Sequence, residues 1–384
     1  MIVCAKWVSL IPSRVAPQES FNPVPADFGT GFLYSGEKTM KKLLTVILMC
    51  LLLIGLCACG KQAEKEEGNT TDAKTIYKVG ICNYVDDASL NQIYENITNR
   101  LAELENDDIG FEVKYDNPNA DANVMAQIIT NFIVDEVDIM VGIATPVAMN
   151  MQAATEDNQI PVIFSAVSDP LGAALVDSMD KPGKNISGTS DYLDTESMMK
   201  LILALKPEIK KVGLLYDVSQ DASTAAIASA KQFLTSNNIE VVEKTGTNVD
   251  EIRLAVQSLI SEGVEAVFTP SDNTVMTAEL SIYEDLANAK IPHFAGADSF
   301  ALNGAFLGFG VDYANLGKET AEMVYEVLVN NKNIAELPVR TFDNGIITIN
   351  SEICETLGYN LDELKEIFKP YCTKIQTIET AESF

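Results

Sequence analysis

The chain has 384 residues, with 27 Lys and Arg against 55 Asp and Glu, and a formal net charge of −28. So acidic a chain offers no basic face to phosphates, which argues against a nucleic-acid partner. Its seven cysteines include no CxxC pair, so neither a zinc site nor a disulfide framework is indicated.

In chain order, the first strong signal is the stretch MKKLLTVILMCLLLIGLCACGK at 40–61. Two lysines precede an uncharged run from Leu43 to Leu56. That run is shorter than the ~20 residues a membrane span needs and suits the core of a signal peptide. The following Leu56-Cys57-Ala58-Cys59-Gly60 resembles a bacterial lipoprotein box, with cleavage after residue 58 and lipidation of the Cys59 thiol. An ordinary signal peptide or a short anchor is the alternative. Residues 59–74 are polar and charged and read as a flexible tether. An export signal works from an N-terminus, so residues 1–39 are expected to be a non-native upstream extension. Gly36-Glu37-Lys38 can be encoded by a purine-rich ribosome-binding sequence, which would place the start at Met40. A genuine long leader is the rival reading. Removing 1–58 takes away five basic and three acidic residues and leaves a formal charge of −30.

From residue 75 the chain alternates strands and helices. Residues 76–84 read as a strand, and Leu90, Ile93, Ile97, Leu101 and Leu104 lie on one helical face. A strand at 111–115 and a helix through Val124, Ile128, Phe132 and Ile133 follow. Residues 137–144 and 160–167 are continuous apolar runs, as buried parallel strands require. The pattern restarts with a strand at 212–216, a helix at 222–235, a strand at 239–244, a helix at 249–261, and strands near 264–270 and 291–296. This alternation predicts an α/β protein with parallel sheets flanked by helices. The units starting at Val137 and Val264 repeat one plan: strand, Thr/Pro/Ser turn, helix, Ile-Pro strand. That repeat predicts two similar lobes across a cleft.

In open parallel sheets a ligand sits beyond the carboxyl ends of the strands. The loops predicted at that edge are 83–90, 144–146, 165–170, 190–192, 269–274 and 295–299, all rich in hydroxyls and carboxylates. Helix N-termini there would receive a carboxylate, with Thr145, Ser168 and Thr274 as hydroxyl donors. Asp191, Asp272 and Asp298 would pair with an ammonium group. Tyr84 would stack on a flat ligand or close the core. The same residue types are also the best helix caps and turn formers, so each has a structural alternative. Catalytic signatures are thin, with the Asp86-Asp87 pair the one candidate for acid–base work. The one histidine, His293, lies in a predicted buried strand, and no P-loop or GxGxxG follows a strand. The Gly-rich 304–310 suits a hinge, and the Asp86-Asp87 pair suits capping. Cys354 and Cys372 are left open as a possible pair.

Together, VGIC, VDIMVGIATPVA, IPVIFSAVSDPLGAALV, NISGTSD, KKVGLLYD, PSDNTV and IPHFAGADS resemble the ABC-transporter substrate-binding lipoproteins of the tryptophan/tyrosine-binding type, across roughly residues 78–358. The resemblance implies the type I periplasmic-binding-protein fold, two Rossmann-like lobes and a hinge, closing on an amino acid, often an aromatic one. It implies a receptor and not an enzyme, with no cofactor, held by a lipid to the outer face of the bacterial cytoplasmic membrane. It would deliver its ligand to a permease and its ATPase. Carried over by motif, the ligand-binding residues are Tyr84, Thr145, Ser165, Ser168, Asp169, Asp191, Asp272, Asn273 and Asp298. Chain crossings near Ser190, Gly310 and Pro338 would make one lobe of 75–190 and 311–338 and another of 191–310 and 339–384. Relatives often carry His-Pro in the first loop; this chain has Asp86-Asp87-Ala88-Ser89, which leaves the exact ligand open. A surface sensor, or a receptor for a nucleoside or sugar, is the alternative.

Overall fold

The computed structural model describes residues 74–342 and 344–381. The expected extension, signal segment, Cys59 and all but the last residue of the tether lie outside these described residues. The first half runs β1 (Thr75–Asn83), α1 (Ala88–Leu104), β2 (Ile109–Asp116), α2 (Ala122–Val134), β3 (Ile139–Ile143), α3 (Thr145–Ala154), β4 (Val162–Ser165) and β5 (Ile186–Gly188). Its five strands form an all-parallel sheet in the order β2-β1-β3-β4-β5. Helix α1 forms where expected because Leu90, Ile93, Ile97 and Leu101 fall on one buried stripe, and Asp87 caps its first turn. In α2 the phase differs by one position. Met125, Ile128, Ile129 and Phe132 are buried, while Val124 is exposed. Phe132 fixes this phase by covering Gly80, where a Cβ would sit 2.8 Å from its ring.

The chain continues through α4 (Thr195–Leu205), β6 (Lys211–Tyr216), α5 (Asp221–Ser236), β7 (Glu240–Thr245), α6 (Val249–Ser261), β8 (Ala266–Thr269), α7 (Asn273–Ala278), α8 (Tyr283–Asn288), β9 (His293–Ala295), α9 (Asp298–Leu302) and β10 (Leu307–Gly310). It then forms α10 (Tyr313–Leu328), β11 (Ile346–Asn350), α11 (Ser351–Leu357), α12 (Leu361–Phe368) and β12 (Lys374–Ile378). The second sheet has the order β12-β11-β10-β9-β8-β6-β7, parallel except at β10–β11. The first sheet carries the β3-α3-β4 unit of the sequence repeat, and the second sheet carries the β8-α7-α8-β9 unit.

Helix α10 returns to the first sheet. It approaches α1 so closely that a Cβ on Gly317 would lie 2.5 Å from the Ile93 carbonyl oxygen. Arg100 Nη2 meets Glu322 Oε1 at 2.6 Å across the same contact. The return continues two residues further than the sequence indicates. Val339 N donates to Met179 O at 2.8 Å, and Arg340 N donates to Gly188 O at 2.9 Å. Arg340 also pairs with Glu319 and Glu326 on α10. Val339 and Arg340 therefore pack with the first sheet, not the second. Cys354 and Cys372 are both free thiols.

Candidate ligand-binding cleft

The carboxyl ends of the two sheets face each other, and the chain crosses between them at Asp191 and Tyr313. Residues from both sides line a narrow cavity of about 20 Å³. Ser89, Leu90, Ala144, Thr145, Ala166 and Ser168 come from the first sheet's side. Ala222, Ser271, Asn273, Met276 and Ala297 face them, with Asp191 and Tyr313 at the crossings.

The cavity has two chemically different walls. One is the N-terminus of α3. Ala144, which precedes it, has φ 78° and ψ 153° and supplies no side-chain cap. This backbone region is costly for anything but glycine, by about 1–3 kcal/mol. Ala166, at the end of β4, also has positive φ, 53°. Thr145 Oγ1 is buried and makes no hydrogen bond. Uncapped first-turn N–H groups plus a free hydroxyl suit a carboxylate. Pro146 in the first turn has no N–H to leave idle.

The other wall is Asp191, only 6% exposed. Ser168 Oγ donates to its Oδ1 at 2.9 Å, and the Tyr313 phenol lines the same cavity. No Lys or Arg lines the cavity. Burial pushes the Asp191 carboxyl up to about 6, against the lowering by the Ser168 and Tyr313 hydroxyls. Burial, with Asp191, Asp298 and Asp87 nearby, pushes the Tyr313 phenol well above its usual range. Asp87 is pushed up to about 6 by burial, and Asp298 is raised for the same leading reason. The closed cleft thus gathers three carboxylates around one phenol.

The two sides touch directly. Ser89 Oγ donates to Asp298 Oδ1 at 2.5 Å and accepts from Ser299 N at 3.2 Å. Helix α9 has no cap of its own, since Ala297 occupies that position, so Ser89 of α1 caps it across the cleft. Tyr84 and Gln220 from the two sides line an outer recess of about 300 Å³ that also touches Thr145 and Pro146.

Of the sequence-derived candidates, Thr145, Ser168, Asp191 and Asn273 line the central cavity. Tyr84 lies in the recess just described, and Asp169 lies in the opposite one with Tyr192, where it also accepts from Gly172 N at 2.8 Å. Asp298 reaches the cleft through Ser89. Two candidates are placed otherwise. Ser165 is fully buried behind the cavity, bonded to Thr320 at 2.9 Å and Thr189 at 3.2 Å. Asp272 caps α7 through Thr274 N and Val275 N, and its other oxygen accepts from Asp217 N and Ser223 Oγ. Neither oxygen is left for an ammonium group. Thr274 Oγ1 is likewise spent on Asp217 at 2.7 Å. The residue missed in the sequence is Tyr313, which follows β10 with no motif to mark it. His293 is buried as expected, but its partners are unexpected: Glu279 Oε1 at 2.9 Å and Thr269 Oγ1 at 2.8 Å.

Comparison with known proteins agrees with this architecture. Residues 78–367 match the family model described as ABC transporter substrate binding protein. The tyrosine-binding protein of Clostridioides difficile (strain R20291) is 33% identical over 324 residues, covering 83% of this chain and 92% of that one. The chain belongs to the ABC transporter substrate-binding protein family. Members of this family are extracytoplasmic proteins that bind a small molecule and deliver it to an ABC permease. An ABC domain in complex with L-Trp from Streptococcus pneumonia superposes on this binding protein with a TM-score of 0.71 at 29% identity, covering 78% of this chain and 100% of that one. A ligand-free, open substrate-binding protein with adhesive properties from Clostridium difficile gives 0.60 at 28% identity, with 79% and 100% covered. In this structure the two sides of the cleft are in direct contact through Ser89, Asp298 and Ser299. Among the described residues no helix is long and apolar enough to cross a membrane.

Proposed function

We propose that this chain is the lipid-anchored receptor of an ABC importer and closes on an aromatic amino acid. The carrying observation is the pair of facing walls: an uncapped helix N-terminus with the free Thr145 hydroxyl, and the cation-free carboxylate of Asp191. An α-amino acid presents one carboxylate and one ammonium, which satisfies both walls at once. The aromatic assignment follows the relatives, one named for tyrosine and one holding L-Trp. The outer recesses, bounded by Tyr84 on one side and Tyr192 on the other, give an aromatic side chain apolar contact. In this reading Thr145, Ser168, Asp191 and Asn273 touch the ligand's charged groups, and Tyr84 and Asp169 flank its side chain. Asp298 acts through Ser89. The lobes hinge at Ser190–Asp191, at Gly310–Tyr313 and after Arg340, and Cys59 carries the lipid. Ligand binds the closed form better because only there does it touch both sides, and that difference in affinity drives closure. Calorimetry with tyrosine, tryptophan, phenylalanine, leucine, a nucleoside and a sugar tests the reading. Saturable heat with an aromatic amino acid supports it. Heat with the nucleoside or sugar alone refutes it.

A further inference from the structure

We propose that the closed, ligand-free cleft holds a proton on Asp191 and that the ammonium group of the entering ligand displaces it, so that capture releases a proton. This rests on the amino-acid reading above. Asp191 forms part of the cavity wall, its Oδ1 accepts from the Ser168 hydroxyl, and the Tyr313 phenol lines the same cavity. A hydroxyl can solvate a carboxylate but cannot neutralise it. The charges facing this corner are of one sign. Asp87 at the start of α1 and Asp298 at the start of α9 act on the same Tyr313 phenol, and Asp312 acts on Asp298. Lys374 lies in an adjoining recess with Asp298, Asp312 and Tyr313, outside the cavity, and Arg340, whose backbone meets Ser190, is paired with Glu319 and Glu326.

Closure is what creates this crowding. The contact of Ser89 with Asp298 and Ser299 joins α1 to α9 across the cleft, and Asp298 acts on Asp87 there. Opening lets water reach the carboxylates and lowers their proton affinity. The balanced step is a neutral carboxylic acid plus an alkylammonium giving a carboxylate–ammonium pair plus a proton to buffer. No bond to carbon changes. The three carboxyls titrate as a coupled set, but Asp191 is the one the ligand meets. The position of its carboxyl near 6 sets the window. Ligand lowers that value, so binding releases a proton at and below about pH 6. Affinity then falls about tenfold between pH 8 and pH 5.

The experiment is calorimetry of L-tyrosine and L-tryptophan binding to the full chain, in pairs of buffers with different ionisation enthalpies. At pH 6 about half a proton released per ligand is expected, and none at pH 8. Tyr313→Phe removes a hydroxyl that favours the ionised carboxylate, so its release should persist to higher pH. Asp191→Asn should abolish it, along with a protonated-carboxyl infrared band in the ligand-free protein at pH 6. Tyrosine or tryptophan binding with no buffer dependence at pH 6 overturns the proton proposal and leaves the amino-acid reading standing. Absence of amino-acid binding at any pH overturns that reading and the proposal with it.

Discussion

Ser89→Ala isolates the energy that shuts the cleft. The hydroxyl makes a charge-assisted bond to Asp298 at 2.5 Å and accepts the Ser299 N–H at 3.2 Å. The first is worth about 1.5–3 kcal/mol and the second about 0.5–1.5 kcal/mol. Both exist only when α1 meets α9. In the open form the same groups bond to water, so the substitution spares that form. A loss of about 2 kcal/mol lowers the closed-to-open ratio by about thirtyfold. Apparent affinity falls as the closed fraction falls, so the ligand feels the change in full only where the open form dominates. Nitroxide labels at Val124→Cys and Val218→Cys, both exposed and on opposite sides of the cleft, read closure directly by electron–electron distance in a Cys372→Ser background. Without ligand, Ser89→Ala should shift the distribution towards longer distances, Ser89→Thr should not, and saturating ligand should restore the short distance. An unchanged ligand-free distribution together with unchanged affinity would refute the cross-cleft cap as a source of closure energy.

Four further expectations follow from local geometry. His293→Ala leaves Oε1 of the wholly buried Glu279 without its hydrogen-bond partner and should cost about 1–3 kcal/mol in urea unfolding; Glu279→Leu with His293→Leu should recover part of it. Gly317→Ala should destabilise by about 1–3 kcal/mol although alanine favours helix, because the new Cβ meets the Ile93 carbonyl at 2.5 Å; equal or higher stability would mean that α1 and α10 can separate at little cost. Ala144→Gly relieves a positive φ and should raise the unfolding free energy by about 1 kcal/mol, measured by the same titration. Asp87 and Asp191 have folded-state values near 6, above the ordinary 3.8, so the folded form binds more protons between these limits. Stability of the ligand-free closed protein should therefore fall as pH rises from about 4 through about 6 and level off above, with Asp191→Asn flattening the slope.

The sheets and their helices were legible because burial imposes periodicity. Helix α6 spans Val249–Ser261, the very range its pattern predicts, with Ile252, Ala255, Val256 and Leu259 inward. The C-terminal additions, β11 and β12, were not read because they join the sheet through one antiparallel pairing outside the repeat. The pattern puts the third crossing only near Pro338, because Val339 and Arg340 are held by distant partners, Met179 and Gly188, that no local pattern reveals.

The candidate site was half legible, and the dividing line is physical. A carboxylate one residue before a helix is claimed by that helix's free N–H groups. Asp272 precedes α7 and is consumed this way, with the remaining oxygen taken by Asp217 N and Ser223. Asp191 lies in Ser190-Asp191-Tyr192-Leu193-Asp194, where Asp194, not Asp191, caps α4 through Ser197 N at 3.1 Å. That second aspartate is the available signal: with the cap already supplied by Asp194, the N–H groups of α4 do not claim Asp191. A buried carboxylate that no cap claims must find donors across the fold, take a proton or wait for a cation. The Ser168 hydroxyl answers the first need only in part, which leaves the other two to compete for the same oxygen atoms in the closed cleft.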